Sequence, residues 1–362
     1  MIYEILVALT CILAIITVLP LWRHDAWWVR AFDFPRLQFL ILALFILVAD
    51  TVALGFPEQS SWVLAAVAFT CFCYHAVWIL PYTRLFPVEV KQTRNQQRTG
   101  SRIKIMTANV LTPNRNYQGL LDLVIKHQPD VLVTLETDHW WQEKLSIIEK
   151  EYQHTMKCPL DNKYGMHVYS KLPLEDTAIQ FLVEPDVPSM HALVILDSYI
   201  KIRIHFLHPA PPSPTENLAS SERDAELLVV AKSVSDEDCP IIVTGDLNDV
   251  AWSATTRLFR KTSGLLDPRI GRGMFNTFHA DYWLARWPLD HLFHSEHFTL
   301  VSLKRLPYFG SDHFPMLVEL EYDTTHGADQ EGLQADEDDL EWAESKMEEH
   351  EVEESDVHEP GK

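Results

Sequence analysis

Cysteine is sparse, at 5 of 362 residues. Cys11, Cys71 and Cys73 lie in apolar runs, while Cys158 and Cys239 stand alone. No disulfide framework or zinc-type spacing follows from them, and each thiol reads as a small buried hydrophobe. Glycine is scarce too, at 12 residues. None of it builds a phosphate-cradling loop, because Gly271-Arg272-Gly273 lacks the strand–loop–helix setting. The sequence has no Gly-x-Ser-x-Gly elbow and no His-Glu-x-x-His pair. Positive charge is also short, with 30 Lys and Arg against 51 Asp and Glu. That argues against gripping nucleic acid by bulk charge, although a local basic patch stays open.

The length exceeds one average domain and suggests about two units. With 47% apolar and 22% charged residues, the whole is ordinary globular material. The net charge of −21 is uneven: residues 323–362 hold 16 acidic and 2 basic residues. Residues 1–83 hold three Arg and five acids, and residues 84–322 hold 25 basic and 30 acidic residues. The acidity is mostly a tail, poor in apolar groups, for which disorder is the first expectation. Residues 340–352 within it have the makings of a short helix.

Three long apolar runs occupy residues 5–21, 37–56 and 62–82. Each suffices to cross a hydrocarbon core of roughly 30 Å as a helix. The first has no basic leader and no small-residue cleavage site, so it reads as a span rather than a signal peptide. Trp22, Trp27, Trp28, Trp62 and Tyr82 sit near the ends, where aromatic belts form. Arg23, Arg30 and Arg36 follow the first run, and Arg84, Lys91, Arg94, Arg98 and Arg102 follow the third. The positive-inside rule then puts everything after residue 83 in the cytoplasm. The expected organisation is an anchor at 1–83, a polar linker at 84–101, a globular domain at 102–322 and the acidic tail at 323–362. Asp50 and His75 are ionisable groups inside apolar runs, where function or snorkelling are the choices.

From residue 102 the pattern changes. Residues 103–108, 131–135, 166–169, 192–196, 201–207, 241–244, 289–294 and 314–322 read as strands. Residues 117–127, 141–151 and 221–234 read as helices, the first with Leu120, Leu121, Val124 and Ile125 on one face. Many strands with a few helices predict an α/β or α+β sandwich.

Polar residues stand where these strands end: Asn109, Glu136, His208, the run Gly245-Asp246-Leu247-Asn248, Asp290, and Asp312-His313 before the last strand. Any one alone reads as a turn residue or helix cap. Together they would set carboxylates, amides and imidazoles along one sheet edge. Hard oxygen donors without thiolates suit Mg²⁺ or Mn²⁺. A carboxylate beside a histidine orients and charges it. Such a set suits metal-assisted attack of water on a phosphate ester.

The motifs resemble the endonuclease/exonuclease/phosphatase superfamily, of the DNase I-like kind, over residues 102–322. They are Met106-Thr107-Ala108-Asn109, Pro129-Asp130-Val131-Leu132-Val133-Thr134-Leu135-Glu136 and Gly165-Met166-His167-Val168-Tyr169-Ser170-Lys171. His208-Pro209, Gly245-Asp246-Leu247-Asn248, Leu289-Asp290-His291 and Ser311-Asp312-His313-Phe314-Pro315 complete the set, in order. The resemblance implies a four-layer α/β sandwich with the site at one rim, here preceded by three transmembrane helices. It implies Glu136 as main metal ligand, helped by Asn109 and Asp312. Asp246 would position or deprotonate water, Asn248 would orient water and phosphate, and His208 would bind phosphate. His313, held by Asp290, would act on a phosphate oxygen or as base. Arg223 is a weaker phosphate-binding candidate, and His205 reads as structural.

The anchored arrangement is similar to a bacterial branch of the superfamily, which implies a multi-pass protein of the inner membrane. The implied activity is Mg²⁺-dependent phosphodiester or phosphomonoester hydrolysis, with no obligate protein partner. Fold does not choose the substrate. A nuclease, a phospholipid head-group phosphodiesterase and a catalytically silent phosphate-binding scaffold all stay open. The loops 153–164, 181–191, 209–220 and 272–288 are the candidate selectors. The last carries Phe275, Phe278, Tyr282, Trp283 and Trp287, suited to stacking a base, entering lipid or covering its own core.

Overall fold

The computed structural model describes residues 2–54, 59–94, 100–235, 238–327 and 329–362. Helix α1 spans Ile2–Val18, α2 Trp27–Arg30, α3 Arg36–Leu54 and α4 Gln59–Ile79. Ile2–Leu21 and Ser61–Tyr82 are long and apolar enough to cross a membrane. Trp27–Asp33 and Arg36–Val52, bent by 66°, add a third crossing if the pair is one span. The expected second span, 37–56, thus falls in the second helix of a bent pair, with Phe34-Pro35 at the bend before it. Residues 55–58, which include the end of the expected second span, lie outside the described residues. The helices meet through Leu13, Ala43, Ile46, Ala68 and Cys71, the two alanines allowing close approach. His75 Nε2 meets Thr17 Oγ1 at 3.0 Å, tying α4 to α1. Asp50 is buried among the helices, so it does not snorkel.

The domain continues β1 (Arg102–Asn109), α5 (Tyr117–His127), β2 (Val131–Leu135), α6 (His139–Leu145), β3 (His154–Cys158), β4 (Met166–Ser170) and β5 (Leu174–Gln180). It goes on through β6 (Ser189–Ile195), β7 (Lys201–Leu207), α7 (Ser221–Ser233), β8 (Ile241–Asp246) and α8 (Ala254–Ser263). It closes with β9 (Asp290–His294), β10 (Phe298–Arg305), β11 (Met316–Tyr322), α9 (Thr324–Gly327) and α10 (Glu337–Glu349). Asn116, Asp138 and Ser253 cap α5, α6 and α8 by accepting from Gly119, Trp141 and Thr256 N–H, the usual work of short polar side chains there.

Two mixed sheets form, ordered β10-β11-β1-β2-β4-β3 and β5-β6-β7-β8-β9. The β1/β2 and β7/β8 pairs are parallel and the rest antiparallel. Side chains alternate across each strand. Ile103, Ile105, Val131, Val133, Ile202, Ile204 and Ile242 therefore share the core between the sheets. Met106, Leu132 and Tyr169 face outward under α5 and α6. Val243 and Phe293 face outward under α7 and α8. This is the four-layer sandwich expected from sequence. Strands β3, β5 and β10 were missing from the sequence reading. β5 is half-exposed and carries Glu175 and Asp176, so it shows no apolar run, whereas in β10 a bulge at Val301 breaks the alternation begun by Phe298 and Leu300. β3 and the start of β6 also occupy parts of the stretches expected to be loops at 153–164 and 181–191.

Two expectations about the flanks are corrected. The tail is not disordered among its described residues. Helix α10 begins with a capping box at Asp336 and Asp339, and Ala343, Met347, Val352 and Val357 join the core under α7 and α8. Composition missed this because the apolar residues are few, Ala343 and Met347 one helical turn apart and Val352 and Val357 beyond the helix. Lys346 pairs with Asp25 and Asp224. The linker is not free either: Val90 is fully buried in the inter-sheet core, Glu89 pairs with Arg260 at 2.5 Å, and Gln92 bridges to Leu300. Residues 95–99 of it lie outside the described residues.

Candidate active site

The inward alternation runs on past the strand ends. Ile105 and Thr107 lead to Asn109, Ile242 and Thr244 to Asp246, and Ile204 and Phe206 to His208. Leu292 likewise precedes Asp290 in reverse direction along β9. Each polar residue takes the next inward position where the apolar filling stops, so all meet at one rim between the sheets. Thr107 Oγ1 and Thr244 Oγ1, 3.1 Å apart, join the two sheets just beneath.

Asn109 Nδ2 donates to Glu136 Oε1 and Asp246 Oδ2, each at 3.1 Å. Its Oδ1 accepts from Leu111 N–H at 3.0 Å. Glu136 follows β2 with φ 59°, a left-handed turn that swings its carboxylate back to the rim. Thr112 holds it, donating N–H to Oε2 at 3.3 Å and Oγ1–H to the Glu136 carbonyl at 2.9 Å. Burial, reinforced by the Asp312 charge, pushes the Glu136 carboxyl up to about 7 in spite of the Asn109 hydrogen bond.

His313 Nδ1 lies 2.8 Å from Asp290 Oδ2, and its Nε2 lies 3.4 Å from Asp246 Oδ2. Burial alone would strip the imidazole of its proton, but Asp246 and Asp290 outweigh it and hold its pKa up at about 10. His208, also buried, is pushed down to about 4 by burial, and its Nδ1 has no partner among the described residues. Ser311 Oγ donates to the Asn109 carbonyl at 2.7 Å and accepts from His313 N–H at 3.1 Å, fixing Ser311-Asp312-His313 against β1. Asp312 is partly exposed beside Glu136 and His313.

Gly245 explains part of the Gly245-Asp246-Leu247-Asn248 motif. A Cβ there would lie 1.8 Å from the Leu207 carbonyl oxygen, so no other residue lets β8 approach β7. Asn248 sits at φ 50°, with its N–H on Asp246 Oδ1 at 3.0 Å and its Nδ2 on the Pro209 carbonyl at 3.0 Å.

Arg223 does not reach the rim as a free cation. It is 1% exposed, bonded to Asp224 Oδ1 at 2.8 Å and to the Asn248 carbonyl at 2.9 Å. The sequence put it on the right helix, but the buried Asp224 and Asp249 beside it claim its guanidinium. His205 is fully buried against His191, with Nδ1 atoms 2.7 Å apart. Sequence reading missed Thr112 and Phe278 as site neighbours and gave Ser311, quoted in its motif, no role. The Phe278 ring lies 4.9 Å from that of His313, and only its place in an aromatic loop hinted at this.

Asp246, Asp290 and His313 also present ligand atoms within 4.8 Å of one another. Both nitrogens of His313 face carboxylates there, and the ring is charged at neutral pH. The residues fit a dication better at Glu136, whose recessed carboxylate offers hard oxygens beside Asp312 and within reach of the Asn109 amide, whose Oδ1 would turn from Leu111 N–H to join it.

The profile of the Endonuclease/Exonuclease/phosphatase family matches residues 106–313. The chain belongs to this family. No curated protein matches it by sequence. Among solved structures, the human nocturnin catalytic domain with bound sulfate anion has a TM-score of 0.50 at 15% identity, over 62% of this chain and 95% of that one. Zebrafish (D. rerio) TDP2 complexed with single-strand DNA product has a TM-score of 0.49 at 16% identity, over 61% and 99%. An endonuclease/exonuclease/phosphatase from Beutenbergia cavernae has 0.48 at 17%, over 61% and 72%. At these identities the nocturnin likeness shows the fold alone. The family is one of phosphoesterases, and the seven motifs read from the sequence lie in order inside the matched stretch, save Phe314-Pro315 at the end of the last.

Proposed function

We propose that the protein is a membrane-anchored, divalent-metal-dependent phosphoesterase that hydrolyses phosphodiester or phosphomonoester bonds with water. The observation that carries this is the meeting of Asn109, Glu136, Asp246, Asp290 and His313 at one rim. Glu136, with Asn109 and Asp312, would hold the metal, Mg²⁺ or Mn²⁺ by its hard donors. Bound there, a dication supplies charge neutralisation at a phosphate oxygen.

The chain's own residues divide the remaining work. Asp246, fixed by the Asn248 N–H, positions the attacking water and takes its proton. His313, charged and held by Asp290, stabilises negative charge on the phosphate as it builds. His208, kept neutral by burial, offers a hydrogen bond rather than a charge to a phosphate oxygen. Asn248 orients water and phosphate, and Arg223 positions Asn248 through its carbonyl.

The apolar helices support an anchor at residues 1–83, and the positive-inside bias supports a cytoplasmic domain on a bacterial inner membrane. A phospholipid head group is favoured over nucleic acid as substrate by one observation. The loop beyond Phe278 exposes Tyr282, Trp283 and Leu284, and the Leu284 carbonyl accepts from Gln38 Nε2 in the first turn of α3 at 2.7 Å. Aromatic side chains at that level suit the lipid interface.

The test is hydrolysis of bis(p-nitrophenyl) phosphate, supercoiled plasmid and phospholipid vesicles by the full chain in detergent. EDTA, Glu136→Gln and His313→Ala are the controls. Turnover that survives all three controls refutes the site. Metal-dependent nicking of plasmid with intact vesicles would reverse the substrate preference.

A further inference from the structure

A basic cavity of about 380 Å³ lies where the N-terminal helices meet the domain, away from the candidate active site. Arg23, Arg36, Arg257 and Lys261 line it with Tyr74 and Trp78. Four cations face a single acid, Asp339, in a chain of net charge −21. Lys261 pairs with Asp339. Arg36 pairs with Asp33, so Arg23 and Arg257 leave the cavity a positive excess.

Arg36 decides what the cavity takes. It is 1% exposed. Its Nη2 donates to Asp33 Oδ1 at 2.5 Å, but its Nε and Nη1 are buried with no hydrogen-bond partner among the described residues. The guanidinium lies 4.5 Å from the Trp78 ring centroid and 5.4 Å from that of Tyr74. Rings satisfy charge in part but accept no ordinary hydrogen bond. A desolvated cation with idle donors is costly, and a phosphate matches the guanidinium fork. Arg257, 5.3 Å from the Trp78 ring, and Arg23, 4.4 Å from the Trp342 ring, are exposed at the mouth.

Position identifies the source of the phosphate. Pro20 and Leu21 end the first apolar span, and Tyr74 and Trp78 belong to the last turns of α4. The outer faces of these helices, with Ile12, Ile15 and Val77, are apolar and exposed. Acyl chains can lie along them while the head group enters the cavity. Basic pockets between transmembrane helices suit anionic head groups in this way.

We propose that this cavity binds the phosphate of an anionic glycerophospholipid, with Arg36 as the buried anchor and Arg23 and Arg257 at the mouth. The site shares no side chain with the candidate active site, so it stands or falls independently of the catalytic reading.

The test uses the full chain in detergent with EDTA present. Dioctanoyl phosphatidylglycerol, dioctanoyl phosphatidylcholine and inorganic phosphate are titrated separately, read by tryptophan fluorescence and thermal midpoint. Phosphatidylglycerol is expected to raise the midpoint and change the fluorescence of Trp78 and Trp342, with little response to the other two. Because Arg36 also holds Asp33, Arg36→Gln tests folding as well as binding. The decision therefore falls to the exposed pair Arg23→Gln/Arg257→Gln. It should weaken phosphatidylglycerol binding about tenfold or more and leave the lipid-free midpoint unchanged. An equal response to phosphatidylcholine, or full affinity in the double variant, overturns the site. A response to inorganic phosphate equal to that for phosphatidylglycerol overturns the lipid source.

Discussion

Asp290 Oδ2 and His313 Nδ1 sit 2.8 Å apart, joining the start of β9 to the loop before β11. The pair is buried, and Asp246 closes on the other ring nitrogen at 3.4 Å. An imidazole between two carboxylates keeps its proton, which is why His313 is held at about 10.

That relationship makes the first prediction. Asp290→Asn removes one of the two carboxylates that keep His313 charged. The alkaline limb of kcat should move to lower pH by at least a unit, and kcat at neutral pH should fall by roughly 10² to 10⁴. The pH–rate profile of both proteins on a soluble phosphodiester measures this. An alkaline limb that stays in place means the proton on His313 is not part of the reaction.

Glu136 supplies the second. Its carboxyl is pushed up to about 7, and a ligand must lose its proton to hold a metal. The Mg²⁺ concentration for half-maximal rate should rise as pH falls through 7. Glu136→Gln should raise it at every pH by about tenfold or more, with the far-ultraviolet circular dichroism unchanged. Equal metal dependence in both proteins moves the ligand role elsewhere.

Stability has its own pH signature at Glu226. This carboxyl accepts from Ser189 Oγ at 2.6 Å, and burial pushes it from 4.5 up to about 7. An acid raised in the folded state binds a proton that the unfolded chain releases. Stability is therefore lost as pH rises from 4.5 through 7, on the order of 3 kcal/mol. Glu226→Gln still accepts from Ser189 and should abolish that slope. Thermal midpoints at pH 5 and pH 8 should differ less in the variant than in the parent.

The tail makes the fourth prediction. Removing residues 337–362 strips Ala343, Met347, Val352 and Val357 from the core under α7 and α8, and leaves Asp224 without Lys346. Losing several buried apolar side chains should cost about 3 kcal/mol or more and lower the thermal midpoint by several degrees. A midpoint unchanged by truncation would return the tail to the solvated end that its composition suggests.

Legibility followed the kind of signal each residue carried. Asn109, Glu136, Asp246, Asp290 and His313 were readable because each stands at or beside one end of an apolar strand, the first three where a strand finishes and the last two where one begins. Arg223 was misjudged because sequence gives no view of the buried Asp224 and Asp249 that hold it. Val90 was lost in a polar linker, since one apolar residue among Glu89, Lys91 and Gln92 has no period to declare it. The tail was misjudged for the related reason that bulk charge hides four sparse apolar residues, Ala343, Met347, Val352 and Val357.

The order of apolar runs and polar strand ends, a local property of the chain, determined the family, the layered sandwich and the candidate site residues. The tertiary structure alone decided which of those residues touch. Contacts such as Asn109 to Asp246, His313 to Asp290, or the setting of Arg36 against Trp78 join segments far apart in sequence. Their distances depend on how two sheets and a helical anchor pack, and side-chain packing of that range leaves no periodic trace in the sequence.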